Sequence, residues 1–145
     1  MPLQIDNKKI ECFKKMLSGE QNALVLSHKN PDGDAAGSLL CLSWLLKTHL
    51  GWQDSQLMLV LPTALQETFR YLPGYEHILF ADREPERCAQ AFAKADLIIG
   101  VDFNNATRVG TLQPLLEGAR QPKILIDHHH QPDCDLFDLV FSEVD

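Results

Sequence analysis

Three short runs of the chain are apolar from end to end, and this restricts the fold more than any other property of the sequence. They are Ala23-Leu24-Val25-Leu26, Leu57-Met58-Leu59-Val60-Leu61 and Leu97-Ile98-Ile99-Gly100-Val101; a fourth, Lys123-Ile124-Leu125-Ile126, opens on a lysine. Runs without polar alternation suit strands buried on both faces, as in a parallel sheet covered by helices. The intervening segments supply those helices. Ile5 to Ser18 carries Ile10, Phe13, Met16 and Leu17 at helical spacing, with Gly19 as a stop, and Ala35 to His49 does the same with Leu39, Leu42, Leu45 and Leu46. Glu84 to Lys94 is amphipathic with Asp82 as a candidate cap, and Thr107 to Gly118 reads as a further helix. A shorter helix is expected from Pro62 or Thr63 through Tyr71, then a turn at Pro73-Gly74 and a short strand at Ile78 to Phe80. Strands alternating with helices predict an α/β, doubly wound, mainly parallel sheet with helices on both faces.

Three of these strands end in loops rich in acids and histidines. Ser27-His28-Lys29-Asn30-Pro31-Asp32-Gly33-Asp34-Ala35-Ala36-Gly37-Ser38 follows the first, Asp102-Phe103-Asn104 the third, and Asp127-His128-His129-His130 the last. In a parallel sheet the carboxyl ends of all strands share one edge, where such folds bind ligands. Each segment alone has a plainer reading. Asn30-Pro31-Asp32-Gly33 is an ordinary turn signal, Asp34 a helix cap, Asp102 a strand-end polar group, and the histidine run surface polarity. Brought to one edge, His28, Asp32, Asp34, Asp102, Asp127, His128 and His129 make a better case for a metal site. Crowded carboxylates repel unless protons or cations intervene. Mixed carboxylate and imidazole donors suit divalent Mn, Fe, Co or Mg. His49, near a helix end, and His77, in a connection, are expected to be structural or solvated.

Charge and cysteine usage narrow the function. With 13 Lys and Arg against 20 Asp and Glu, the net charge is -7, which disfavours long duplex nucleic acid as a partner. A phosphate substrate would need cations to attract it. Cys12, Cys41, Cys88 and Cys134 form no CxxC pair and are expected to be reduced thiols. The amino terminus lacks a basic region followed by an apolar stretch, and no apolar run nears the roughly 18 residues of a membrane span. A soluble, cytoplasmic protein without a membrane partner is the expectation. Neither a Gly-x-Gly-x-x-Gly fingerprint nor a Walker lysine pattern occurs, so dinucleotide and P-loop readings lack their defining residues.

The motif His28-x-Asn30-Pro31-Asp32-Gly33-Asp34-Ala35-x-Gly37-Ser38 resembles the first motif of the DHH phosphoesterases. Val101-Asp102 resembles their second, and Asp127-His128-His129 the triplet that names the family. The resemblance covers the chain from about Leu24 to Asp145. It is nearest to the branch of oligoribonucleases, pAp phosphatases and cyclic-dinucleotide phosphodiesterases, and implies two divalent ions, manganese first, with magnesium or cobalt as alternatives. By that resemblance His28 and Asp32 bind one ion, Asp34 and His128 the other, and Asp102 bridges both. Asp127 would orient neighbouring ligands from behind, His129 would lie close to the substrate phosphate, and Asn30 would be a polar neighbour of the reacting group. The substrate would be a small phosphate ester or a short oligonucleotide, and two copies would pair as a homodimer. Family members carry a further metal-ligating aspartate and a smaller substrate-gripping domain. None of Asp133, Asp135, Asp138 or Asp145 matches the context of that aspartate, and no closing element is legible in Ser142-Glu143-Val144-Asp145. Residues 1–145 are therefore expected to be the metal-binding domain, incomplete at its carboxyl end. A family II-like pyrophosphatase and a catalytically silent binding or assembly fragment are the rival readings.

Overall fold

A computed structural model describes residues 5–143. Six strands form one parallel sheet: β1 (Ala23–Leu26), β2 (Leu57–Leu61), β3 (Ile78–Phe80), β4 (Leu97–Val101), β5 (Lys123–Asp127) and β6 (Leu139–Ser142), in the order β3-β2-β1-β4-β5-β6. The sequence reading places the first five within a residue. Continuous apolarity has the expected cause, since successive residues of β1 point alternately into two cores. Ala23 and Val25 join a layer with Leu39 and Leu46 of helix α2 (Gly33–Leu50). Leu24 and Leu26 join the opposite layer with Cys88 and Phe92 of helix α3 (Pro85–Lys94) and Leu116 of helix α4 (Gln113–Gly118). Each such Leu or Ile contributes about 1.5–3 kcal/mol by leaving water.

Helix α1 (Asn7–Met16) packs beside β6, with Phe13 edge-on to Phe141 at 5.5 Å and Lys9 Nζ donating to the Val140 carbonyl at 2.9 Å. Asp6 caps it by accepting from Lys8 N at 2.9 Å. At the other end of the long α2, Gly51 adopts a left-handed conformation (φ 70) and its N–H returns to Leu46 O. Among the described residues no helix is long and apolar enough to cross a membrane.

Four local expectations change. The helix through Tyr71 is a single 3-10 turn at Glu67–Phe69. Thr63 and Ala64 are instead spent on tertiary bonds: Thr63 Oγ1 accepts from Asn30 N at 2.7 Å, and Ala64 N donates to Asp82 at 3.1 Å. Asp82 therefore does not cap α3, which starts from Glu84 with Pro85 in its first turn. The segment from Thr107 is a 3-10 stretch, Ala106–Leu112, broken at Gly110 (φ 55, ψ -126) before α4 begins. The fourth change is β6, at a place where no closing element was legible. It pairs along β5 from Ile124↔Leu139 to Asp127↔Ser142.

Candidate metal centre

The order of the strands puts the polar loops together. β1 lies between β2 and β4, so the chain leaves β1 and β4 on opposite sides of the crevice at their carboxyl ends, where doubly wound sheets take ligands. The loops after β1, β4 and β5 meet there. Ser27 closes the seam, its buried Oγ donating to Val101 O at 2.7 Å.

Asp102 is the hub. Its backbone is left-handed (φ 60), a region that costs a non-glycine residue about 1–2 kcal/mol and that Asp tolerates better than most. This turn directly after β4 sets a carboxylate that is only 5% exposed among the neighbouring side chains. Asp102 Oδ1 lies 2.9 Å from His128 Nε2, and Oδ2 lies 3.5 Å from His28 Nε2. Burial pushes the Asp102 carboxyl above its ordinary value, opposed by the His128 hydrogen bond and reinforced by the charge of Asp34. The same hydrogen bond raises His128 from its ordinary value.

His28 is nearly buried, and its Nδ1 lies 2.7 Å from the Lys29 carbonyl. A carbonyl only accepts, so Nδ1 carries a proton and Nε2 is the ring nitrogen turned inward. Nε2 faces Asp32 Oδ1 at 3.8 Å and Asp102 Oδ2 at 3.5 Å. One ring nitrogen and two carboxylate oxygens therefore converge on one point. Asp32 is fixed by the start of α2, where it accepts from Ala35 N at 3.0 Å; that bond lowers its pKa, partly offset by burial and helped by His28.

On the other side, His128 Nε2 sits between Asp102 Oδ1 and Asp34 Oδ2, the latter at 3.1 Å. His129 Nδ1 is 2.6 Å from Asp127 Oδ1, so this imidazole too is oriented by an acceptor behind it, and its Nε2 makes no hydrogen bond among the described residues. The second oxygen of Asp127 is buried without a hydrogen-bond partner among the described residues.

Two sets of donor atoms result, each gathered within 4.8 Å: His28, Asp32 and Asp102, and Asp102, Asp127, His128 and His129. Asp102 belongs to both. The converging nitrogen and oxygen atoms, the buried Asp102 carboxylate and the orphaned Asp127 oxygen all suit divalent cations, and an oxygen and nitrogen donor set without thiolate suits the harder ones.

All seven residues of the predicted cluster thus gather at this edge. Asn30 is in the same loop, held left-handed (φ 50) through its backbone bond to Thr63, and its side chain makes no hydrogen bond among the described residues. Asp133 and Asp138 are engaged elsewhere: Asp133 accepts from Asp135 N and Leu136 N in its own turn, and Asp138 accepts from Lys123 N of β5 at 2.8 Å. Asp145 lies outside the described residues. Two supports went unread in the sequence. Thr63 carried no signal. Asn104, whose Nδ2 donates to His130 O at 2.9 Å and whose carbonyl accepts from Asp133 N, holds the loop after β5 and is visible only as one more polar residue.

A model of the DHH family, N-terminal domain, matches residues 22–142. This chain belongs to the DHH family. Among solved structures it is similar to an exopolyphosphatase-related protein from Bacteroides fragilis, with a TM-score of 0.88 and 30% identity over 99% of this chain and 41% of that one. The DHH-family chain therefore spans about two fifths of that neighbour's length. No curated protein matches it. The match contains all three motif segments, each at the carboxyl end of a strand as the resemblance implies.

Proposed function

We propose that this chain is the metal-binding part of a phosphoesterase that hydrolyses phosphate esters of small nucleotides, namely short oligoribonucleotides, pAp or cyclic dinucleotides. The observation that carries this reading is the shared carboxylate, Asp102, between two donor sets at the switch point of the sheet. In this reading His28 and Asp32 would hold one divalent ion, His128 and the Asp34 carboxylate 3.1 Å from it would hold a second, and Asp102 would serve both, with manganese preferred and magnesium or cobalt as substitutes. Such ions supply Lewis acidity at a phosphoryl oxygen and a water acidic enough to react at neutral pH. The protein's own share is arrangement. Asp127 keeps His129 turned with Nε2 outward, toward a substrate phosphate, through the 2.6 Å bond to Nδ1. Lys29 O keeps His28 Nε2 turned inward, and α2 keeps Asp32 in place. Asn30, on the rim, is the polar neighbour of the reacting group, and a separate substrate-gripping domain completes the parent.

A phosphoanhydride substrate is the second reading. It is favoured by the exopolyphosphatase-related neighbour, which shares 30% of its residues and the fold. One experiment addresses both. The metal-stripped chain is titrated with manganese by calorimetry, then assayed on pAp, a diribonucleotide, a cyclic dinucleotide, pyrophosphate and tripolyphosphate, beside an Asp34→Ala variant. Metal-dependent release of phosphate or mononucleotide, lost in the variant, is expected. Tight metal binding with no turnover on any of them would leave a silent binding or assembly domain. Absence of metal binding would overturn the proposal.

A further inference from the structure

The loops after β1 and β4 are tied by a backbone bond in which Lys29 N donates to Arg108 O at 2.7 Å. Lys29 directly follows His28, and Arg108 lies in the 3-10 stretch that follows Asp102. The bond therefore joins the backbones of two long cationic residues in the loops that also carry His28 and Asp102. The lysine stem is seated as well: a Cβ added at Gly110 would lie 3.5 Å from Lys29 Cβ and 3.6 Å from its Cδ. Gly110 takes φ 55, ψ -126, which breaks its helix and is poorly open to other residues. Backbone irregularity is thus spent where Lys29 is laid against the chain.

Both side chains are exposed, and among the described residues neither forms an ion pair or a side-chain hydrogen bond. Asp32 and Asp34 stand a few residues from Lys29 and are engaged instead with His28 and His128. In a chain of net charge -7 these two cations are left for an anion that reaches past the acidic centre. A guanidinium grips phosphate through two parallel N–H groups, and an ammonium adds a point charge from any direction.

We infer that Lys29 and Arg108 form a second phosphate subsite, which takes the phosphate next to the one being cleaved. The ligand chemistry is a small molecule with two or more phosphates: a nucleoside bisphosphate, a short oligonucleotide or a short inorganic polyphosphate. The inference rests on the phosphoesterase reading and deepens it. A simple monoester would leave the subsite empty and bind more weakly.

The test is calorimetry on the manganese-loaded chain with adenosine 3′,5′-bisphosphate against adenosine 5′-monophosphate, and with tripolyphosphate against orthophosphate. Lys29→Met, Arg108→Met and Lys29→Arg are measured alongside, after thermal unfolding confirms that each is folded. Each Met variant should lose about tenfold in affinity for the multiply phosphorylated ligand, with little change for the monophosphate, and Lys29→Arg should retain most of it. Whichever pair shows the selective loss identifies the source of the second phosphate. Equal losses for both members of a pair, no loss, or no binding of either multiply phosphorylated ligand by the wild type would overturn the subsite. Manganese binding on the same samples separates the two failures: its absence sinks the phosphoesterase reading, whereas its presence without phosphate discrimination sinks only the subsite.

Discussion

Replacing Asp102 by Asn should make the metal-free protein no less stable and the metal-loaded protein clearly less so. Asn has the same shape, tolerates the left-handed backbone that Asp102 adopts, and offers an amide oxygen to His128. What it removes is a charge on a group 5% exposed, which burial and the nearby Asp34 and Asp32 already disfavour. Relief of that charge at neutral pH is set at about 1–2 kcal/mol, within the range of single stabilising substitutions at strained functional sites. Loss of a charge-assisted bond to His128 takes back about 1 kcal/mol. The net for the metal-free chain is about 0–1 kcal/mol in the variant's favour, or about 0–4 °C in Tm for a domain this size. Metal reverses the ranking. At a hundredfold excess over Kd, manganese stabilises the wild type by about 2.7 kcal/mol, roughly 5–10 °C, and the variant gains little because both donor sets lose their common carboxylate. Differential scanning fluorimetry with EDTA and with manganese reads all four states. A variant that keeps the full manganese shift, or whose metal-free form drops by more than about 3 kcal/mol, would refute this account of Asp102.

Gly100→Ala in the middle of β4 should cost about 1–3 kcal/mol in urea unfolding, because its Cβ would lie 2.6 Å from the fully buried Phe103 ring; an unchanged midpoint would show that the ring can yield. Asp32→Ala should cost about 1 kcal/mol through the lost cap of α2. Since the Asp32 pKa is lowered on folding, that contribution exists above its unfolded value and vanishes as pH falls through the folded one, so the variant's deficit should close in acid. His128 is raised, so its contribution to the metal-free fold is present below its unfolded pKa and lost as pH rises through the folded one. Manganese competes with that proton, so its affinity should rise with pH over this window with proton uptake by buffer, measured by calorimetry in buffers of different ionisation enthalpy.

Much of the site was legible because its chemistry is concentrated in contiguous segments. His28 to Asp34 and Asp127 to His129 place several donors within a few residues, and each segment follows a run whose apolarity marks it as a buried strand. The less legible parts depend on partners distant in sequence. Thr63 matters because it accepts from Asn30, and Asp82 because it accepts from Ala64 instead of capping α3. β6 was missed because four residues of mixed exposure have no distinctive period. It is a strand only because β5 pairs with it and α1 covers it.

By itself the sequence determined the composition of the layers and the inventory of donors, since continuous apolar runs and helical stripes report how much each segment must bury. The tertiary structure decided the order of the strands, and with it that β1 and β4 stand side by side and open the crevice between their loops. It also decided the left-handed turn at Asp102 and the bonds that fix each imidazole's orientation. Local periodicity is set by burial, which each residue experiences alone. Metal-binding geometry is set by the relative positions of groups up to a hundred residues apart, such as His28 and His128, and only the assembled sheet supplies those positions.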